Sequence, residues 1–251
     1  MTTRPSNTVA ATAEEPGAGA LDLRGFAVLS FDCYGTLIDW ESGILSALRP
    51  ILAAHGVQVS DDAALAAYAQ AETAAEAGPY QAYAAILHLA LIGIGERLGF
   101  SPLAEEADRF ASSIADWPPF PDSVDALARL RTRYRLAALT NCDDNLFAHS
   151  SRRLGDPFSW VITAQQLHSY KPAPRNFVAA IERTGVPADR LLHVAQSLFH
   201  DHAPAKELGL RTVWVNRRRG RAGAGATPLA VGVRPDLEVP DLATLAGLAG
   251  V

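Results

Sequence analysis

The apolar positions of this chain fall into two regimes. From Phe26 the run FAVLSFDCY is nearly continuous in apolar and aromatic residues and stops at Gly35, the pattern of a strand buried on both faces. Runs of the same kind recur at RLAALTN (135–141), WVITA (160–164), LLHVAQ (191–196) and RTVWVN (211–216), with helix-like segments between them. Strands alternating with helices predict an α/β fold, a doubly wound parallel sheet. Between Trp40 and Trp117 the spacing becomes helical, rich in Ala and Leu and broken at His55-Gly56, Gly78-Pro79 and Gly99. That stretch predicts a helical cap inserted after the first strand. The segment PPFPDS (118–123) reads as the return linker, with Asp122 or Ser123 capping a helix that runs to Arg131. The expected organisation is a tail over 1–20, a core over 21–40 and 118–251, and a cap over 41–117.

A chain of 251 residues, 49% hydrophobic, is long enough to bury a substantial core. The first 20 residues, rich in Ala, Thr, Glu, Pro and Gly without apolar periodicity, bury too little to offset their ordering entropy and are expected to be disordered. The formal charge of -5 offers no basic stripe for a phosphate backbone, so nucleic acid is not expected as a partner. The longest apolar runs, such as Ala84 to Ile94, are too short or too interrupted to span a bilayer, and the N-terminus lacks a basic-then-apolar signal. Two cysteines, Cys33 and Cys142, make neither a disulfide scaffold nor a zinc site, and a cytoplasmic location is expected. They read either as a redox-sensitive pair brought close by adjacent strands or as small buried packing residues. An exposed apolar strip on a cap helix would support a homodimer.

In open α/β sheets ligands gather outside the carboxyl ends of the strands. Those positions hold Asp32, Thr140 with Asn141, and Gln196 with Ser197. FDCYGTL (31–37) puts one carboxylate at a strand end before a turn whose amides can hold a negative group. Asp32 is thus a candidate nucleophile, although an isolated Asp-x-x-Gly also reads as a simple turn.

FDCYGTL, LTN (139–141), Lys171 in SYKPAP and VAQSLFHD (194–201) resemble the four ordered motifs of the haloacid dehalogenase superfamily, over residues 26 to 218. Phosphatases of that superfamily carry a second Asp where this chain has Tyr34, and a magnesium-binding Asp where it has Gln196. Both departures point to the branch resembling the L-2-haloacid dehalogenases, which needs neither a metal nor another cofactor. The resemblance then implies that Asp32 attacks the halogen-bearing carbon of a small carboxylic acid, expels halide and forms an ester that water hydrolyses. Lys171 would orient Asp32, and Asp201 would pair with Lys171 and position or deprotonate the water. Lys occurs only at 171 and 206, so Lys171 is not background from a Lys-rich surface. Asp201 also reads as a cap for a helix beginning near His200. Tyr34, Thr36, Thr140, Asn141, Gln196 and Ser197 are the expected substrate-binding residues, though a Ser at a strand end is often only a turn former. His200 and His202 flank Asp201 without a third zinc ligand.

The cap departs from that branch, which keeps an early Arg that receives halide. Here there is no Arg between Arg49 and Arg97, and the region reads YAQAETAAEAGPYQAY. Glu72 and Glu76 would repel an anion if they faced the pocket, whereas Gln70, Tyr80 or Tyr83 could offer neutral donors. Phe177 stands where relatives often have a tyrosine. Two other readings remain: a magnesium-dependent phosphatase on the same fold, and a metabolite-binding member without turnover, against which Asp32, Lys171 and Asp201 argue. A Schiff-base mechanism would need a cap lysine, and the cap has none.

Overall fold

The computed structural model describes residues 21–221, 225–227, 230 and 232–251; the expected N-terminal tail lies outside them. In chain order the elements are β1 (Val28–Phe31), α1 (Trp40–Ala54), α2 (Asp61–Glu76), α3 (Tyr83–Leu98), α4 (Ala104–Ser112), α5 (Ser123–Leu130), β2 (Arg135–Thr140), α6 (Asp144–Arg153), β3 (Trp160–Thr163), α7 (Ala164–Leu167), α8 (Pro174–Thr184), β4 (Leu191–Ala195), α9 (Ala203–Glu207), β5 (Arg211–Val215), β6 (Leu237–Val239) and α10 (Leu242–Leu248). The six strands form one sheet in the order β3-β2-β1-β4-β5-β6, and every pairing is parallel. The α/β, doubly wound reading therefore holds.

Alternation along the strands explains why their sequences look continuously apolar. Leu29 and Phe31 of β1, Leu136 and Ala138 of β2, and Leu192 and Val194 of β4 pack into one core. Val28, Ala137, Leu139 and Leu191 point the other way, into a second core completed by Phe177 and Ala205. Helices cover both faces, so both parities must be apolar, and each fully buried Leu or Phe contributes roughly 1.5–3 kcal/mol. Phe177, in place of a tyrosine, is one of these buried core residues.

Several boundaries differ from expectation. The first strand is four residues, because Asp32 leaves the ladder and the backbone turns at Gly35, whose φ of +89° suits glycine. The edge strand β6, only three residues long, carries too little periodicity to be seen in the sequence. α5 ends at Leu130, and although Asp122 occupies its N-cap position, its side chain makes no cap bond. Asp122 turns instead to Arg217 Nη1 and the Leu242 amide, both at 2.7 Å, and Ser123 donates to the Leu37 carbonyl at 2.8 Å.

Helices α1–α4 lie between β1 and β2, as the spacing predicted. Asp39 caps α1 and Ser60 caps α2, each side chain accepting a backbone N–H three residues on. The insert leaves and returns through two paired segments: Asp39 N donates to Pro118 O at 2.8 Å, and Phe120 N to Leu37 O at 3.0 Å. α3 has no cap of its own. The Asp143 carboxylate, at the end of β2, accepts the Tyr83 and Ala84 amides at 2.9 and 3.1 Å, satisfying donors that α3 would otherwise leave open. Among the described residues no helix is long and apolar enough to cross a membrane.

Candidate active site

Register places the site. Phe31 of β1 pairs with Ala138 of β2 on one side and Val194 of β4 on the other, so the chain order of the sheet reverses about β1. The residues just beyond these strand ends, Asp32, Asn141 and Gln196, therefore share one crevice at the switch point.

Asp32 is 7% exposed and both its oxygens are engaged: Oδ1 accepts from Lys171 Nζ at 2.8 Å and Oδ2 from Thr36 Oγ1 at 2.6 Å. Lys171 spends its other two donors on Asp201 Oδ1 at 2.7 Å and the Leu139 carbonyl at 3.0 Å. Asn141 fixes the loop that carries Lys171, donating to its carbonyl at 3.0 Å and accepting its amide at 2.7 Å. Asp201 Oδ1 also meets His193 Nε2 at 2.9 Å, and His193 Nδ1 meets Ser30 Oγ at 2.9 Å. An Nε2–H donating to Asp201, with Ser30 donating to Nδ1, satisfies both contacts.

These contacts decide the charges. Burial raises the Asp32 carboxyl above the ordinary carboxylate range, opposed by Lys171 and Thr36. Burial alone would lower Lys171, but Asp201 and Asp32 outweigh it and hold the ammonium above its usual range. Burial likewise opposes the charge on Asp201, yet Lys171 and His193 keep that carboxyl well below the ordinary value. The Lys171 and Asp201 shifts favour the ionised pair, and the same ammonium opposes the burial-driven rise of Asp32.

A cavity of about 40 Å³ opens on these groups, lined by Asp32, Lys171 and Asp201 from the core, Trp40 from α1, Glu72 and Glu76 from α2, and Tyr83 from α3. A larger cleft, about 890 Å³, borders it at Trp40 and Gln196 but contains none of the three charged core residues.

The expected substrate-binding residues divide. Asn141, Gln196 and Ser197 line the cavity, although each already has a partner: Gln196 Oε1 accepts from Thr227 at 3.1 Å, and Ser197 Oγ accepts the His200 amide at 2.9 Å. Thr36 does not reach the cavity; its hydroxyl stands behind Asp32 and accepts the Gln196 amide at 2.8 Å. Thr140 is buried away from the cavity, its hydroxyl without a hydrogen-bond partner among the described residues. The Tyr34 ring lines the wall, but its hydroxyl turns to Ser150 Oγ at 3.0 Å and Cys142 Sγ at 3.5 Å. Neither Tyr80 nor Gln70 offers a donor there: Gln70 accepts from Arg97, and Tyr80 stacks on Tyr170. Both cysteines are buried free thiols, and burial raises each, Cys142 to about 12, as packing residues rather than reactive thiolates. Asp201 caps no helix; it lies in a single π-helical turn, Leu198–His202, and faces Lys171.

Two residues went unnoticed in the sequence. Asp143 joins the insert to the core, and no local pattern announces a cap donated across the fold. His193 had a signal, a lone polar residue within LLHVA, on the face of β4 that pairs with Ser30.

Residues 26–209, most of the chain, match the haloacid dehalogenase-like hydrolase family. The chain belongs to that family. Within it, the (S)-2-haloacid dehalogenase H-109 of Pseudomonas putida is 26% identical over 217 residues, 84% of this chain and 92% of that one. Haloacid dehalogenase-like hydrolase domain-containing protein 3 of Danio rerio is 36% identical over 64 residues, 26% of each chain. Among solved structures, the L-2-haloacid dehalogenase from Xanthobacter autotrophicus with chloropropionic acid covalently bound superposes with a TM-score of 0.75 at 21% identity, covering 90% of this chain and 98% of that one. At that identity the superposition speaks for the fold. The protein is accordingly a hydrolase of the haloacid dehalogenase-like family.

Proposed function

We propose that this hydrolase works without a metal, displacing halide from a small 2-halocarboxylic acid through an ester on Asp32. The observation that carries the reading is the Lys171 ammonium held between Asp32 Oδ1 and Asp201 Oδ1. It favours the ionised form of a buried carboxylate against the cost of burial and aims it, as nucleophilic attack requires. An Asp32 oxygen bonds to the halogen-bearing carbon as the carbon–halogen bond breaks, and halide leaves with the bonding pair. Water then adds to the ester carbonyl of Asp32; the ester bond opens, releasing a 2-hydroxy acid, a proton and the regenerated carboxylate. Asp201 is too acidic to serve as a strong base, but its Oδ2, buried without a partner among the described residues, is suited to orient that water. The helices over 41–117 act as a cap that excludes bulk water from the 40 Å³ cavity. Two buried free thiols accord with a cytoplasmic setting.

The residues fit magnesium-assisted phosphoryl transfer poorly. The general-acid position is Tyr34 with its hydroxyl turned to Ser150, and the Gln196 amide is bonded to Thr227 where a carboxylate would hold the ion. The test is halide release from short 2-halocarboxylic acids in EDTA. Release that persists in EDTA and disappears in Asp32→Asn is expected; phosphate release that requires magnesium, with no halide released, would sink the proposal.

A further inference from the structure

The helical insert presents acids to the reacting groups, not a halide-receiving cation. Glu72 and Glu76 lie four residues apart on α2, on one face, and both line the cavity that holds Asp32, Lys171 and Asp201. Glu72 is buried, and its Oε1 accepts from Tyr83 at 2.5 Å and Tyr68 at 2.7 Å. Glu76 is partly buried and has no hydrogen bond or ion pair among the described residues. The wall thus carries four carboxyl groups, from Asp32, Glu72, Glu76 and Asp201, against one ammonium. That ammonium has no donor to spare, since Lys171 already serves Asp32, Asp201 and the Leu139 carbonyl. A further buried acceptor, Asp201 Oδ2, has no partner among the described residues.

Burial and the neighbouring Glu72 push the Glu76 carboxyl well above its usual range, and burial raises Glu72 too. In an empty pocket the two acids are mutually unfavourable, and a cation against them relieves both desolvation and repulsion. A carboxylate placed against Glu72 and Glu76 would add to the repulsion. We propose that the substrate bears an alkylammonium group, which docks against Glu72 and Glu76 while its halogen-bearing carbon faces Asp32. The inference rests on the Asp32 displacement reading for the location of the reactive carbon, and adds the charge at the substrate's other end. A small halogenated acid that also carries an amine satisfies both. The covalent steps are unchanged: halide leaves as the Asp32 ester forms, and water releases the alcohol and a proton.

Calorimetric titration of the full chain at pH 7 with n-propylammonium and with propanoate tests the head group without any turnover. Propylammonium is expected to bind at least tenfold more tightly, and Glu76→Gln to weaken it by about tenfold, as the loss of a charged hydrogen bond implies. Glu76 has no hydrogen-bond or ion-pair partner among the described residues, so this variant is the informative one, and an unchanged melting temperature verifies that it folds. Propanoate binding equally or more tightly, no measurable propylammonium binding, or an unaffected Glu76→Gln would each overturn the assignment. Halide release from 2-chloropropanoate and from 3-amino-2-chloropropanoate, corrected for uncatalysed release, separates the two claims. Propylammonium bound through Glu76 with no halide released from either compound removes the displacement reading and leaves the head group. Faster release from 2-chloropropanoate, unaltered by Glu76→Gln, does the reverse.

Discussion

Thr36 illustrates how a residue at the right place in a motif can have a different task from the expected one. Its hydroxyl donates to Asp32 Oδ2 at 2.6 Å while accepting the Gln196 amide at 2.8 Å, so it ties Asp32 to the end of β4. A donor to the ionised form favours that form, and Thr36 is one of the groups that oppose the burial-driven rise of the Asp32 carboxyl. Thr36→Val keeps the volume and removes the donor. A charged hydrogen bond is worth about 1.5–3 kcal/mol, so turnover is expected to fall roughly tenfold to a hundredfold. The acid limb of the pH–rate profile should shift to higher pH, because the Asp32 carboxyl rises further. Thr36→Ser should retain most of the activity and the original profile; a Ser variant as impaired as Val would mean that packing, not the hydroxyl, matters.

At the scale of elements, α1 is joined to the site through a glycine. Gly43 lies within α1, where Gly→Ala ordinarily stabilises a helix by about 0.5–1 kcal/mol. Here a Cβ would stand 2.3 Å from Trp117 Cγ and 2.8 Å from Trp117 Cβ, and Trp117 is itself buried. Overpacking of this kind costs about 1–3 kcal/mol, which exceeds the propensity gain. Gly43→Ala is therefore expected to lower the melting temperature. Trp117 packs edge-on against Tyr34, with ring centroids 5.7 Å apart, so the same substitution should also reduce turnover. A rise in melting temperature with full activity would contradict this packing.

Across the whole molecule, acid stability depends on the buried His202 and the half-buried His200. Burial lowers His202 to about 4 from the usual 6.5, outweighing the hydrogen bond between Nε2 and the Ala195 carbonyl at 2.9 Å, which by itself favours the charged ring. Burial lowers His200 to about 4 as well. The unfolded chain takes up protons between 6.5 and 4 that the fold refuses. The stability these groups confer is complete above 6.5 and falls as pH drops toward 4, on the order of 3 kcal/mol for His202. Asp201 adds a loss at lower pH, since its depressed carboxyl favours the fold only above the usual carboxylate range. Urea denaturation across this range should reveal the slope, and His202→Gln should flatten part of it. A wild-type profile level from pH 7 to 4 would refute the assignment.

The sequence by itself determined the alternation of strands and helices and the helical insertion after β1, because core periodicity is local, and the resemblance of four ordered motifs singled out Asp32, Lys171 and Asp201. It did not determine which polar groups face one another. Thr36, in the motif after β1, and Thr140, at the end of β2, looked like pocket residues, yet the fold turns one behind Asp32 and buries the other. Asp122 looked like a cap, but α10 and Arg217, more than ninety residues away, claim its carboxylate. Asp143 and His193 act across the fold, where sequence spacing carries no information. The same holds for the charge of the pocket. Helical spacing put Glu72 and Glu76 on one face of α2, and only the packing of that helix over the carboxyl ends of the strands turned the face toward Lys171.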